Sequence, residues 1–143
     1  MDITICMKGK KLDKDSTAAM AEYMKRMSTF CRVNTKFFKS YTDYPVALGE
    51  HSIAFIVSPG KKSPSSPELA ETINHLQTSG YSSIFYYVIN DEDTLSDEEQ
   101  LHFSKFEHLH LSCFTMQPHT TAIVLSEQLY RAFTILNHIT YHK

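Results

Sequence analysis

The chain ends on Tyr141-His142-Lys143, an aromatic ring, an imidazole and an ammonium in a row. An imidazole moves protons near neutral pH, and an ammonium meets anions. They close the segment 127–143, which reads as an amphipathic helix running into this ending, and in it Glu127 and Arg131 stand four apart as an ion pair would. Three other groups are chemically able. Lys8, Lys10, Lys11 and Lys14 cluster near the start, Asp91-Glu92-Asp93 is an acidic run, and His108, His110, Cys113 and His119 are metal-ligating types. The histidine and cysteine spacing fits no zinc pattern. The acidic run fails the calcium-loop pattern, because Thr94 and Leu95 replace a ligand and the glycine. No metal is expected. Each group also has a plain reading: a solvated terminal histidine, a helix salt bridge at Glu127 and Arg131, a surface loop of lysines, and an acidic loop complementing the next helix dipole.

The elements that must position these residues belong to one domain, 1–143, long enough for a real core. The composition is that of a globular protein, 42% hydrophobic and 21% charged. A net charge of −2 announces no strongly basic field, yet leaves room for a local basic patch. Three widely spaced cysteines, Cys6, Cys31 and Cys113, read as reduced thiols rather than a disulfide framework. No signal peptide opens the chain, and no apolar run approaches the roughly 20 residues that span a bilayer. A cytoplasmic protein without membrane partners is expected.

Hydrophobic patterning gives strands alternating with helices. Ile3, Ile5 and Met7 alternate, as do Val33, Thr35 and Phe37, while Ser52–Val57 and Ser83–Ile89 are continuous apolar runs that suit strands buried on both faces. Leu109, Leu111 and Cys113 predict a fifth strand. Helices are expected after a cap at Asp15 or Ser16, after the serines before Pro67, over about 97–107 behind the capping box Ser96/Glu99, and from Thr120 or Thr121 onward. This order predicts an α/β fold, a mostly parallel sheet with helices on both faces. Ligands of such sheets bind beyond the carboxyl ends of the strands, which points at loops 58–62, 90–96 and 115–121.

The pieces together resemble the RlmH family, SPOUT-class methyltransferases that act on a pseudouridine of large-subunit ribosomal RNA. The resemblance runs nearly the whole length. It is carried by Ala21-Glu22-Tyr23 with Lys25-Arg26, by Glu68-Leu69-Ala70, by Glu127-Gln128-Leu129-Tyr130-Arg131-Ala132-Phe133 and by the ending Tyr141-His142-Lys143. It implies a carboxyl-terminal trefoil knot, a rare topology that no hydrophobic pattern reveals. It implies a homodimer whose tail helps to build the active site at the interface, with ribosomal RNA as partner. It implies S-adenosylmethionine held by the knot loops, here Ile56, Ile89, Asn90, Asp91, Thr94, Leu111, Ser112, Thr115 and Met116. His142 then serves as base or positioning group with Tyr141 beside it, and Arg131, Lys143 and Lys10 meet RNA.

The chain departs from the family at its loops. A glycine-rich I-G-G-x-x-G-L stretch is replaced by Ile89-Asn90-Asp91-Glu92-Asp93-Thr94-Leu95. Those glycines let a backbone turn sharply and approach a cofactor without a Cβ, although Asn and Asp tolerate left-handed turns better than most residues. The Arg that follows the family's T-x-P-H motif falls on Ala122. Most of the segment between the second and third strands is missing. Ile56-Val57 stands where the family often carries an acid. These losses support a rival reading, a knotted dimer kept as a binding module without catalysis.

Overall fold

A computed structural model describes residues 1–141 of the chain. Five strands, β1 (Asp2–Lys8), β2 (Arg32–Phe38), β3 (Ser52–Val57), β4 (Ser83–Val88) and β5 (Glu107–Leu109), form one sheet in the order β2-β1-β4-β3-β5. Every neighbouring pair is parallel. The four helices are α1 (Lys14–Met27), α2 (Ser66–Thr78), α3 (Asp97–His102) and α4 (Pro118–Leu136). No helix among the described residues is long and apolar enough to cross a membrane.

Side chains alternate across the sheet, because successive residues of a strand point to opposite faces. Ile3, Ile5, Met7, Phe55, Val57, Ile84, Tyr86 and Val88 pack with α1, α2 and α4 into one core. Cys6, Ala54, Ile56, Tyr87 and Ile89 face the other way, into a smaller core closed by Tyr44, Leu95 and Phe103. The cover on this second face is thin: a short 3-10 turn at Tyr41–Asp43 and the six-residue α3. Tyr44 anchors it. Its ring is buried against Tyr87 and Phe103, and its hydroxyl donates to Val88 O at 3.0 Å. The continuous apolar runs of β3 and β4 are therefore buried on both sides, as their composition requires.

Boundaries move where caps differ from those expected. Asp13, rather than Asp15 or Ser16, caps α1 by accepting the Ser16 N–H at 2.7 Å. Helix α3 ends at His102, short of 107, and β5 is only Glu107–Leu109, so Leu111 and Cys113 belong to a loop instead of the strand. Helix α4 starts at Pro118, ahead of Thr120, with Gln117 as N-cap; a first-turn proline loses nothing by lacking an N–H. Its far end does not run on into the tail. His138 adopts φ 56°, and the Ile139 N–H reaches back to Thr134 O at 2.9 Å, which reverses the chain.

Helix α2 carries a complete capping box. Ser65 Oγ accepts from Glu68 N at 3.2 Å, and Glu68 accepts from Ser65 N at 2.9 Å. These bonds hold the Glu68 carboxyl below its ordinary value. A depressed carboxyl stabilises the fold above its unfolded pKa and loses that contribution as pH falls through the folded one. Glu68→Gln should thus lower the urea midpoint at pH 7, and the difference should vanish well below roughly pH 4.3, the ordinary Glu value. A difference unchanged at pH 2.5 would contradict the capping box.

Candidate functional site

In a parallel sheet every strand delivers its carboxyl end to the same rim, so the loops after β3, β4 and β5 meet without further instruction. Backbone bonds lock them together. Ile89 N–H donates to Val57 O at 2.9 Å, Ser58 N–H to Leu109 O at 3.3 Å, and Gly60 N–H to Ser112 O at 3.0 Å. Gly60 has to be glycine here. A Cβ on it would lie 2.3 Å from the His110 ring, which covers that backbone. His110 Nδ1 donates to Ser58 O at 2.9 Å, since a carbonyl can only accept.

Glu92 ties its own loop to the loop after β3 and to strand β5 through one carboxylate. Its Oε2 accepts the Ser58 hydroxyl at 2.5 Å, and its Oε1 accepts His108 Nε2 at 2.6 Å. Ser58 is 3% exposed, so this is a largely desolvated contact on one side. Residues Glu92–Thr94 form a 3-10 turn capped by Asp91, whose Oδ1 accepts Asp93 N–H at 3.0 Å. Thr94 Oγ1 adds a bond to Asp91 O at 2.8 Å. Here the expected left-handed tolerance of Asn and Asp plays no part: among the described residues only His138 is a non-glycine at positive φ. The turn survives without glycine because Asp91 holds it in right-handed geometry.

Between the loops lies a cleft lined by Val57, Ser58, Pro59, Leu111, Ser112 and Met116, together with Phe114 and the buried Thr121. Leu111, Ser112 and Met116 were expected on sequence grounds and do come together. Thr115 is exposed and not part of the lining, and Ile56 is buried in β3 on the opposite face. Ile89 is buried at the end of β4, and the exposed Asn90 gives its N–H to the Tyr41 hydroxyl at 3.3 Å. Ile56 and Glu92 meet instead at a second hollow of about 330 Å³, bounded by Leu95, Phe103 and His108. Ser58, Glu92, His108 and His110 escaped the sequence reading as one unit. The acidic run pointed near them, yet nothing in a sequence tells which of three adjacent acids turns inward.

The cleft has apolar walls, with backbone groups and two serine hydroxyls able to orient a ligand. Its free space is small. It holds about 10 Å³, close to one water, while small-molecule sites span roughly 300–1,000 Å³. The 110–117 loop on one side of it has no regular structure, and its Phe114 is 74% exposed. Among the described residues no three His, Cys, Asp or Glu side chains gather as a metal site.

The other expected site residues lie at two further places. Lys10 is exposed in the turn after β1. Arg131 donates through Nε and Nη2 to Glu127 Oε1, at 3.1 and 2.5 Å, and its guanidinium covers the Tyr141 ring at 4.7 Å. Tyr141 also packs edge-on against Tyr130 and donates to Glu127 at 3.4 Å. Burial and the Glu127 charge raise the Tyr141 pKa, so its phenol stays protonated and serves as a donor. Arg131 is therefore spent on the tail rather than presented to solvent. His142 and Lys143 lie outside the described residues.

Comparison with known proteins adds an independent line. A family model described as "Predicted SPOUT methyltransferase" matches residues 1–142. The Ribosomal RNA large subunit methyltransferase H 1 of Thermoanaerobacter sp. (strain X514) is 32% identical over 143 residues, all of both chains. The Ribosomal RNA large subunit methyltransferase H of Limosilactobacillus reuteri (strain DSM 20016) is 30% identical over 168 residues, again the whole of each. A solved structure, of a probable methylase family protein from Haemophilus influenzae Rd KW20, aligns with 96% of this chain and 66% of its own at TM-score 0.47 and 14% identity. With a family model spanning almost every residue and full-length relatives at this identity, the chain belongs to the SPOUT methyltransferases, in the company of the large-subunit ribosomal RNA methyltransferases H.

Proposed function

We propose that this protein is an S-adenosylmethionine-dependent methyltransferase of large-subunit ribosomal RNA, working in the cytoplasm as a homodimer. The reading rests most on one observation: full-length similarity to the methyltransferases H coincides with a cleft of suitable chemistry at the rim of a parallel sheet. S-adenosylmethionine, when bound, supplies a methyl group on a positively charged sulfur. The residues that would hold it are Leu111, Ser112 and Met116 with Val57, Ser58 and Pro59. Ile89, Asn90, Asp91 and Thr94, which the family resemblance also implies at the cofactor, do not line this cleft.

The chain's own part in the chemistry is positioning and proton handling. As a bond forms to a ring nitrogen of the RNA base, the N–H proton has to leave. His142 is assigned to accept or steer it, and Tyr141 donates a hydrogen bond. Lys143 and Lys10 contact the phosphate backbone. The Arg131–Glu127 pair is assigned to the tail that carries His142.

The tail is assigned to a second protomer, as the family resemblance implies. Within its own chain Tyr141 lies level with Glu127 on α4. Exposed Ile135 and Ile139 beside the reversal offer apolar surface for the contact. A knot in the chain, as the family resemblance implies, belongs to the same reading.

Three outcomes follow. Light scattering at micromolar concentration should give twice the chain mass; a monomer would remove the dimer from this account. Calorimetry should detect S-adenosylmethionine, and the cofactor should protect Cys113. That thiol is exposed in the 110–117 loop, while burial pushes Cys6 to about 12 and Cys31 to about 11. One thiol should thus react quickly in the native protein, and more slowly with cofactor. No heat and no protection at millimolar ligand would mean that the loops are closed for good and that the chain is a binding module. Finally, His142→Ala should lower methylation of unmodified ribosomes by about 10²- to 10⁴-fold, the usual range for a lost acid–base group. Cofactor affinity should hardly move; a large loss of affinity would refute the assigned role.

A further inference from the structure

The strongest charge on the molecule is not at the cleft. Lys8 ends β1, Lys10 and Lys11 follow in the turn, Lys14 opens α1, and Lys36 and Lys39 close β2. All six are exposed. The β1–β2 register sets Cys6 opposite Lys36 and Lys8 opposite Phe38, so segments almost thirty residues apart put their ammonium groups on adjacent strand ends. Adjacent strands lie about 4.8 Å apart. None of the six forms an ion pair among the described residues. Of the three acids nearby, Asp13 is committed to capping α1, and Asp43 accepts the Ser40 N–H. All three are exposed, so the corner sets six ammonium groups against three carboxylates. A chain of net charge −2 has thus gathered nearly half of its 14 Lys and Arg residues at one corner.

This corner shares the rim with the cleft. Along the sheet order, the ends of β2 and β1 are basic, the loop after β4 is Asp91-Glu92-Asp93, and the ends of β3 and β5 carry the cleft. Tyr41 links the first two. Lys8 Nζ sits 4.8 Å over its ring, and its hydroxyl receives the Asn90 N–H.

We infer that the corner formed by Lys8, Lys10, Lys11, Lys14, Lys36 and Lys39 docks the phosphodiester backbone of the RNA substrate, with the acidic 91–93 loop repelling phosphates from the middle of the rim. The inference rests on the RNA-modifying function proposed above and adds an orientation to it. The backbone crosses the ends of β1 and β2, and only an uncharged base reaches over the acidic loop toward the cleft. Lysines suit this task, because a mobile point charge meets phosphates without reading sequence.

The test is equilibrium binding of an unmodified transcript of the large-subunit RNA across a salt series. Lys8→Gln, Lys10→Gln, Lys36→Gln and Lys39→Gln combined should flatten the slope of log K against log salt by roughly 3 and weaken binding at least about tenfold near 0.1 M salt, since each single-strand phosphate contact contributes about 0.7 to that slope. Lys36→Gln with Lys39→Gln alone should give about half of that change, and Lys25→Gln with Lys105→Gln little. Cofactor binding should be unaffected throughout. An unchanged slope in the fourfold variant, or polyglutamate competing as well as RNA, would overturn the proposal. Lysine-dependent RNA binding without methylation by any form would sink the function while leaving the docking surface standing. Methylation with a slope indifferent to these lysines would do the reverse.

Discussion

Tyr86 and Tyr87 sit back to back at the centre of the sheet, one in each core, and both are essentially buried. Strand β4 is the middle strand, so it has to be covered on both faces. Three long helices cover one side. The other has only α3 and the aromatic segment that Tyr44 pins to Val88. Burying a side chain of this size contributes on the order of 2 kcal/mol, so two sealed faces set the position of β4 firmly. The loop that leaves it, from Ile89 onward, starts from a fixed point. Asn90, Asp91 and Glu92 take their places from that anchor together with their own bonds to Tyr41, Asp93 and Ser58.

From this fixed strand the rim divides by charge. Lysines gather at β1 and β2, acids after β4, and the apolar cleft between β3 and β5. Glu92 bridges the acidic and apolar parts through Ser58 and His108. That one carboxylate replaces, with side-chain bonds, some of the order that glycine-rich backbone packing would give. The cleft beside it holds little free space. Tail and cleft are separated in a similar way. The reversal at His138 folds Tyr141 back onto α4, where Glu127, Tyr130 and Arg131 clasp it.

Much of the architecture was readable from residue order. The alternation in β1 and the double-sided apolar runs of β3 and β4 announce buried strands, and the serines before Pro67 and the Ser96-Glu99 box announce helix starts, because these signals are local. The errors fall where two neighbours compete for one role. Asp13 took the cap expected at Asp15 or Ser16, and Leu111 and Cys113 left the strand their alternation suggested, because the chain turns at His110 over Gly60.

The sequence alone therefore determined the fold class, the loops after β3 and β4, and the kinship carried by Glu127–Phe133 and the tail; the loop after β5 runs over 110–117 rather than the expected 115–121. Periodicity and motif spacing are properties of nearby residues, and they survive any change in distant contacts. Tertiary structure decided what those residues touch. It turned Glu92 rather than Asp91 or Asp93 inward, spent Arg131 on Tyr141, and brought Lys36 and Lys39 beside Lys8 and Lys10. Such pairings depend on strand order and register, which no local pattern encodes, because they are set by how the whole chain closes its two cores.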